Sequence, residues 1–200
     1  MEELLRTLSA QLASGEGRTE GSRPGEETPA GGSSLAETER DGQCLEAALR
    51  FLANRPRSER EIRSRLSEKG YEPERIERVL VRLADWKLVD DRAFAEYWLE
   101  NRLLHRPKGA RALRAELFQK GVGREVIDQA LSGERDEADD AYRAAQKHVQ
   151  RLTVADQREF RQRVGQYLQR RGFDWDSIEA TTNRLWAERA GDGGEAEPDE

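Results

Sequence analysis

The sequence predicts an all-α protein: an elongated tandem array of three three-helix repeats, helix-turn-helix-like, between disordered acidic tails. Two observations carry this expectation. A stretch that starts with leucine and ends in a base followed by glycine recurs at a fixed step of 51 residues, as Leu66 to Lys69-Gly70, Leu117 to Lys120-Gly121 and Leu168 to Arg171-Gly172. The same offset relates Ile62, Leu113 and Val164, and again Ile76, Ile127 and Ile178. A fixed period of this size is the mark of a helical repeat array, in which neighbouring units complete one another's cores.

Residues 2–13 place Leu4, Leu5, Leu8 and Leu12 on one face of a short helix, which is marginal alone in water. Residues 14–42 are rich in Gly, Ser, Thr, Pro and Glu and hold almost nothing apolar. Such a composition buries too little surface to offset chain entropy, so 1–42 reads as a short amphipathic helix followed by a disordered acidic linker. The first repeat is expected over 43–89. Its opening segment, Leu45 to Ala53, is apolar at helical spacing. Ser58 and Glu61 then form an S-x-x-E capping box, which satisfies backbone donors left open at a helix start. Ile62 and Leu66 follow one turn apart, Lys69 suits the negative end of the helix dipole, and Gly70 can adopt the left-handed conformation that stops a helix. Pro73 sits at the next helix start, and Ile76, Val79, Leu80 and Leu83 form that helix's apolar stripe.

The second repeat, 90–134, opens on Asp90-Asp91 and runs through Phe94 to Leu104, with Gly123 as a cap before its last helix. The third, 135–190, opens on the acidic run Glu134, Asp136, Glu137, Asp139 and Asp140 and carries Asp156 three residues before Glu159. Acids at these starts read as caps that complement the helix dipole. The run lacks the glycine and the spaced ligands of a calcium loop. Residues 191–200 read as a second disordered acidic tail.

The formal net charge of -6 is unevenly spread. Residues 1–44 hold four arginines against nine acids and residues 191–200 hold five acids, which leaves residues 45–190 with 30 bases against 26 acids. The predicted folded body is mildly basic. One cysteine, Cys44, at the edge of the linker, admits no internal disulfide and suits a reducing compartment. Neither a signal peptide nor a membrane span is legible, so a soluble, cytoplasmic monomer is expected.

No catalytic, cofactor or metal constellation is visible. The two histidines, His105 and His148, lie far apart, and neither a zinc motif nor a phosphate-binding glycine loop is present. The carboxylates are interleaved with arginine at helical intervals, the pattern of ion-paired solvated faces. The four tryptophans, Trp86, Trp98, Trp175 and Trp186, are expected to fill cores between units; only Trp98 has basic neighbours that would suit base stacking. Arginine far outnumbers lysine, which a genome-wide codon bias would also produce, so position matters more than number. Arg102, His105, Arg106, Lys108, Arg111 and Arg114 crowd the second repeat, and Arg161, Arg163, Arg170 and Arg171 the third. These ten are the candidate partner- or phosphate-contacting residues, because a basic face on a helical array suits an elongated polyanion.

The ordered set Ala48-Leu49, Leu52, Arg55, Ser58, Glu61-Ile62, Leu66, Lys69-Gly70, Ile76, Val79-Leu80 and Leu83, followed by Leu88-Val89-Asp90-Asp91-Arg92-Ala93-Phe94-Ala95, resembles the RecX family of RecA regulators. The likeness continues through Tyr97, Arg102, Lys108-Gly109, Leu113, Glu116-Leu117, Lys120-Gly121-Val122 and Val126-Ile127, and more weakly to about residue 187. It implies a tandem three-helix protein, not an enzyme, that binds in the groove of the RecA–single-stranded-DNA filament. There it would suppress ATP hydrolysis and strand exchange in recombination, DNA repair and the SOS response, with RecA and its filament as partners and direct DNA contact an open point. Charge reversal at Arg106, Arg111 and Arg114 is then expected to weaken inhibition.

Two departures stand out: a long acidic segment before the first repeat, expected to compete for the basic face, and, in the third repeat, Thr182 where the earlier copies carry Leu80 and Leu131, with Gly165 inside its second helix. Two rival readings remain. One is a sequence-specific helix-turn-helix DNA-binding protein, against which Pro73 to Leu83 and Arg124 to Leu131 carry as many acids as bases. The other is a helical scaffold for protein interactions.

Overall fold

A computed structural model describes residues 31–133 and 135–192. Among the described residues there are nine α-helices and no strands: α1 (Gly31–Leu52), α2 (Glu59–Glu68), α3 (Pro73–Asp85), α4 (Asp91–His105), α5 (Ala110–Gln119), α6 (Arg124–Leu131), α7 (Glu137–Val149), α8 (Gln157–Arg170) and α9 (Trp175–Asp192). They fall into the three consecutive three-helix repeats that the period predicts. The chain divides into two compact units within α4, one ending at Phe94 and one starting at Ala95.

The punctuation that defines each repeat is built three times over. At the end of α2 the amide of Tyr71 donates to the Leu66 carbonyl (3.2 Å) and that of Gly70 to Ser67 (2.9 Å). The bonds recur as Val122 to Leu117 and Gly121 to Phe118, then as Phe173 to Leu168 and Gly172 to Gln169. This paired closure needs a left-handed residue, and Gly70, Gly121 and Gly172 have φ of 82°, 88° and 82°. The starts are equally explicit. Ser58 accepts from the Glu61 amide (3.2 Å), Asp136 from Asp139 (3.0 Å), Asp156 from Glu159 (2.9 Å) and Asp174 from Ser177 (2.7 Å). Asp90 Oδ1 accepts from Arg92 at the start of α4 (2.8 Å), whereas Asp91 accepts from the Glu59 amide (3.2 Å) and so ties α4 to α2.

The first unit buries Cys44, Leu45, Ala48, Leu49 and Leu52 of α1 against Ile62 and Leu66 of α2 and Ile76, Val79, Leu80 and Leu83 of α3. Each fully buried aliphatic side chain contributes about 1.5–3 kcal/mol. Cys44 is therefore a core residue, not one at a linker edge. Helix α1 begins at Gly31, so residues 31–42, assigned by composition to the linker, are helical. Asp41 explains the anchorage: it pairs with Arg75 (2.7 Å) and Arg78 (2.9 Å) of α3, which hold its carboxyl below the usual range. The expected helix over residues 2–13, the linker before residue 31 and residues 193–200 lie outside the described residues.

In the second unit, α7, α8 and α9 enclose Ala141, Ala144, Ala145, Val154, Phe160, Val164, Leu168, Phe173, Ile178 and Leu185. Helix α8 gains a turn at its N-terminus relative to α2 and α5, which brings Phe160 into this core. Trp186 packs at 5.2 Å from Phe160, as a core-filling aromatic should. Trp175 departs from that expectation, since it is 72% exposed. The acidic run is also more than a set of caps: Asp140 is buried and paired with Arg135 (2.9 Å) and Arg143.

Candidate interaction site

The sequence-predicted basic residues divide by what they touch. Arg102 and Lys108 converge on Glu116 of α5, with Arg102 Nε 2.8 Å from one carboxylate oxygen and the Lys108 ammonium on the other. The Trp98 indole N–H donates to the same carboxylate (2.9 Å), and the Arg102 guanidinium lies 4.5 Å over the Trp98 ring. Burial alone would raise the Glu116 carboxyl, but the bonds from Lys108, Trp98 and Arg102 outweigh it and hold its pKa low. Trp98 is thus engaged from its edge by Glu116 and over its ring by Arg102, and Arg102 and Lys108 serve to lock α4, the α4–α5 turn and α5 together.

A second group gathers where repeats two and three meet. The amide of Gly109 donates to the Arg171 carbonyl (3.1 Å), the Arg171 guanidinium to the Pro107 carbonyl (3.2 Å), and the Arg111 guanidinium to the Gln169 carbonyl (2.8 Å). Glu137 of α7 caps α5 by accepting from the Ala110 amide (3.1 Å). Lys108, Arg111, Arg170 and Arg171 are brought to one junction although two come from each repeat. Glycine is required there. A Cβ on Gly109 would lie 2.2 Å from the Gly172 carbonyl oxygen, and one on Gly172 would lie 2.5 Å from Ala112. Near the junction, Arg171 lies 4.7 Å over Tyr167, whose ring also stacks on His148 at 4.1 Å. Burial, then the nearby Arg170 and Arg171, keeps the His148 imidazole below its usual pKa.

The remaining candidates are dispersed. Arg114 pairs with Asp128 of α6 (2.9 Å), Arg163 with Glu159 one turn back on α8, and Arg161 bonds Asn183 of α9. His105 and Arg106, like Arg170 of the junction, are exposed and hold no ion pair or side-chain hydrogen bond among the described residues. Beside Arg111 and Arg114, a cleft of about 450 Å³ lies between α5 and α6, with Phe118, 58% exposed, and Arg124 on its walls. A second cleft of about 390 Å³ lies between α8 and α9, walled by Gly165, Trp175, Ile178 and Glu179. Sequence reasoning set aside Phe118 and Trp175; their placement opposite a neighbouring helix is the signal that marks them. Among the described residues no cluster of His, Cys, Asp and Glu has the arrangement of a metal site, and no helix is long and apolar enough to cross a membrane.

Models of the first, second and third three-helix domains of RecX match residues 44–83, 90–131 and 135–181. The regulatory protein RecX of Chlorobaculum tepidum is 35% identical over 147 residues, covering 74% of this chain and 91% of that one. The chain belongs to the RecX family. A regulatory protein RecX of Mycobacterium avium is 38% identical over 164 residues, covering 78% of this chain and 92% of its own. A crystal structure of regulatory protein RecX superposes with a TM-score of 0.71 at 26% identity, covering 89% of this chain and 85% of that one. RecX from Lactobacillus salivarius shares the fold, with a TM-score of 0.67 at 22% identity, covering 75% of this chain and 99% of its own. These relatives carry the name of regulatory proteins, and the RecX match takes in both clefts and the Gly109–Gly172 junction, ending at residue 181 within α9.

Proposed function

We propose that this chain is a non-enzymatic regulator of the RecA recombinase, which binds the RecA–single-stranded-DNA filament and suppresses its ATP hydrolysis and strand exchange. Membership of the RecX family across all three repeats carries the reading. The charge distribution supports it: residues 45–190 hold a basic excess, and Lys108, Arg111, Arg170 and Arg171 are concentrated at one junction, as suits a surface lying against an anionic nucleoprotein filament. Its place of action is the cytoplasm, where that filament forms, and it acts there as a monomer. The contacts are made by the exposed members of the basic set that hold no ion pair or side-chain hydrogen bond among the described residues, Arg106 and Arg170 with His105, while Arg102 and Lys108 hold the surface in shape.

The test is RecA's single-stranded-DNA-dependent ATP hydrolysis with this protein added well below the RecA concentration. Loss of hydrolysis at such ratios is the expected result, because one molecule must then silence many protomers. Full hydrolysis at equal concentrations would overturn the proposal and leave direct DNA binding or a scaffold role.

A further inference from the structure

The three repeats differ at one repeated ion pair, and the difference leaves a carboxylate beside a cleft without its arginine. In the first repeat Arg63 of α2 binds Glu77 of α3, with Nε 2.8 Å from the carboxylate. Fifty-one residues on, Arg114 of α5 binds Asp128 of α6 at 2.9 Å. The same step again gives Gly165 of α8 and Glu179 of α9. The third repeat keeps the carboxylate and lacks the arginine.

Packing does not demand the glycine. A Cβ at position 165 would rest 3.6 Å from Ile178 Cγ2, an ordinary contact, and φ there is not left-handed. Glycine inside a helix costs about 0.5–1 kcal/mol relative to alanine. Between α8 and α9 lies the cleft of about 390 Å³, the counterpart of the α5–α6 cleft that Arg114 and Asp128 line; Gly165 leaves Glu179 there without the paired arginine. Ile178, 5% exposed, forms part of the cleft's lining. Trp175 and Glu179, one turn apart on α9, share one side of that helix. Arg161, also on the wall, is bonded to Asn183, and among the described residues no cation pairs with Glu179.

We propose that this cleft receives an arginine side chain presented by a protein partner, its guanidinium lying over Trp175 and pairing with Glu179. The chemistry is one the chain uses internally: Arg102 lies over Trp98 while bonded to Glu116, and Arg184 lies 3.6 Å over Tyr142 while bonded to Glu188. A planar guanidinium satisfies a ring face and a carboxylate together, which an ammonium does less well. Glu179 repels phosphate, so the cleft selects a protein segment over a nucleic-acid backbone. The inference does not depend on RecA being that protein.

The test follows the Trp175 indole N–H by NMR in the full, isotopically labelled chain, with the signal assigned by Trp175→Phe. The probe is Nα-acetyl-arginine N-methylamide, titrated to roughly 50 mM to reach weak affinities. A saturable shift at Trp175 is expected, absent in Gly165→Arg, which restores the internal pair, and weakened about threefold in Glu179→Gln. Because Glu179 is exposed, the second variant keeps the experiment readable if the first fails to fold. The lysine analogue should bind more weakly. No saturable shift, an equal shift in both variants, or a shift given by oligo-dT and not by the arginine probe would each overturn the proposal.

Discussion

The amide of Gly109 donates to the carbonyl of Arg171 at 3.1 Å, so the N-cap of α5 rests directly on the C-cap of α8. Backbone lies against backbone there, and nothing at the contact can rotate away. Gly109→Ala would place its Cβ 2.2 Å from the Gly172 oxygen. We expect a loss of about 2 kcal/mol or more, since overpacking against a rigid neighbour forces the junction open. Denaturant unfolding of the purified variant measures it, whereas Gly123→Ala, where a Cβ meets nothing within 4 Å, should cost far less.

Glu116→Gln should lower stability by about 1–3 kcal/mol near neutral pH, because Trp98, Arg102 and Lys108 all lose a charged acceptor. The folded-state pKa of Glu116 lies below its ordinary 4.5. Its contribution is therefore complete above that value and is lost as pH falls through the lower folded value. Urea midpoints of wild type and variant should draw together as the pH is taken well below 4.5.

Much of this frame is legible in the sequence, and the reason is local chemistry. Caps at Ser58, Asp136 and Asp156 and stops at Gly70, Gly121 and Gly172 depend on residues within six positions of each other, so a periodic reading finds them. The helical residues 31–42 are not legible, because their fixed point is Asp41 on Arg75 and Arg78, a tertiary pairing. The site is less legible for the same reason. Ten basic residues stand out by composition, but Arg111 on the Gln169 carbonyl and Arg171 on the Pro107 carbonyl are set by which repeat stacks on which.

Cys44 is fully buried, and burial pushes its thiol up to about 11. In the native protein an aromatic disulfide reagent should leave it unmodified near pH 8.5, where an ordinary thiol is about half ionised. Unfolding in guanidinium should release one reactive thiol per chain. Rapid labelling of the folded protein would contradict its place in the α1–α3 core.

Charge reversal at Arg106 and Arg170 together should raise the concentration needed to inhibit RecA's ATP hydrolysis about three- to tenfold, with the melting temperature unchanged, because both side chains are exposed. Arg111 and Arg114 make a less clean test: reversing them also removes the bonds to Gln169 and Asp128. Inhibition unaltered in a folded double variant would take Arg106 and Arg170 out of the contact surface.

Tandem repeats carry a hazard that a single domain does not: a partner that fits one unit can fit the next, and the complex can slide by one period. Arg63 and Arg114 pair with the carboxylates of Glu77 and Asp128 in the first two repeats, while Gly165 leaves Glu179 of the third without that partner. One ion pair, present twice and omitted once, makes the units non-equivalent. On the proposed docking of an arginine at Glu179, the chain has a reading direction, and binding has one alignment instead of three.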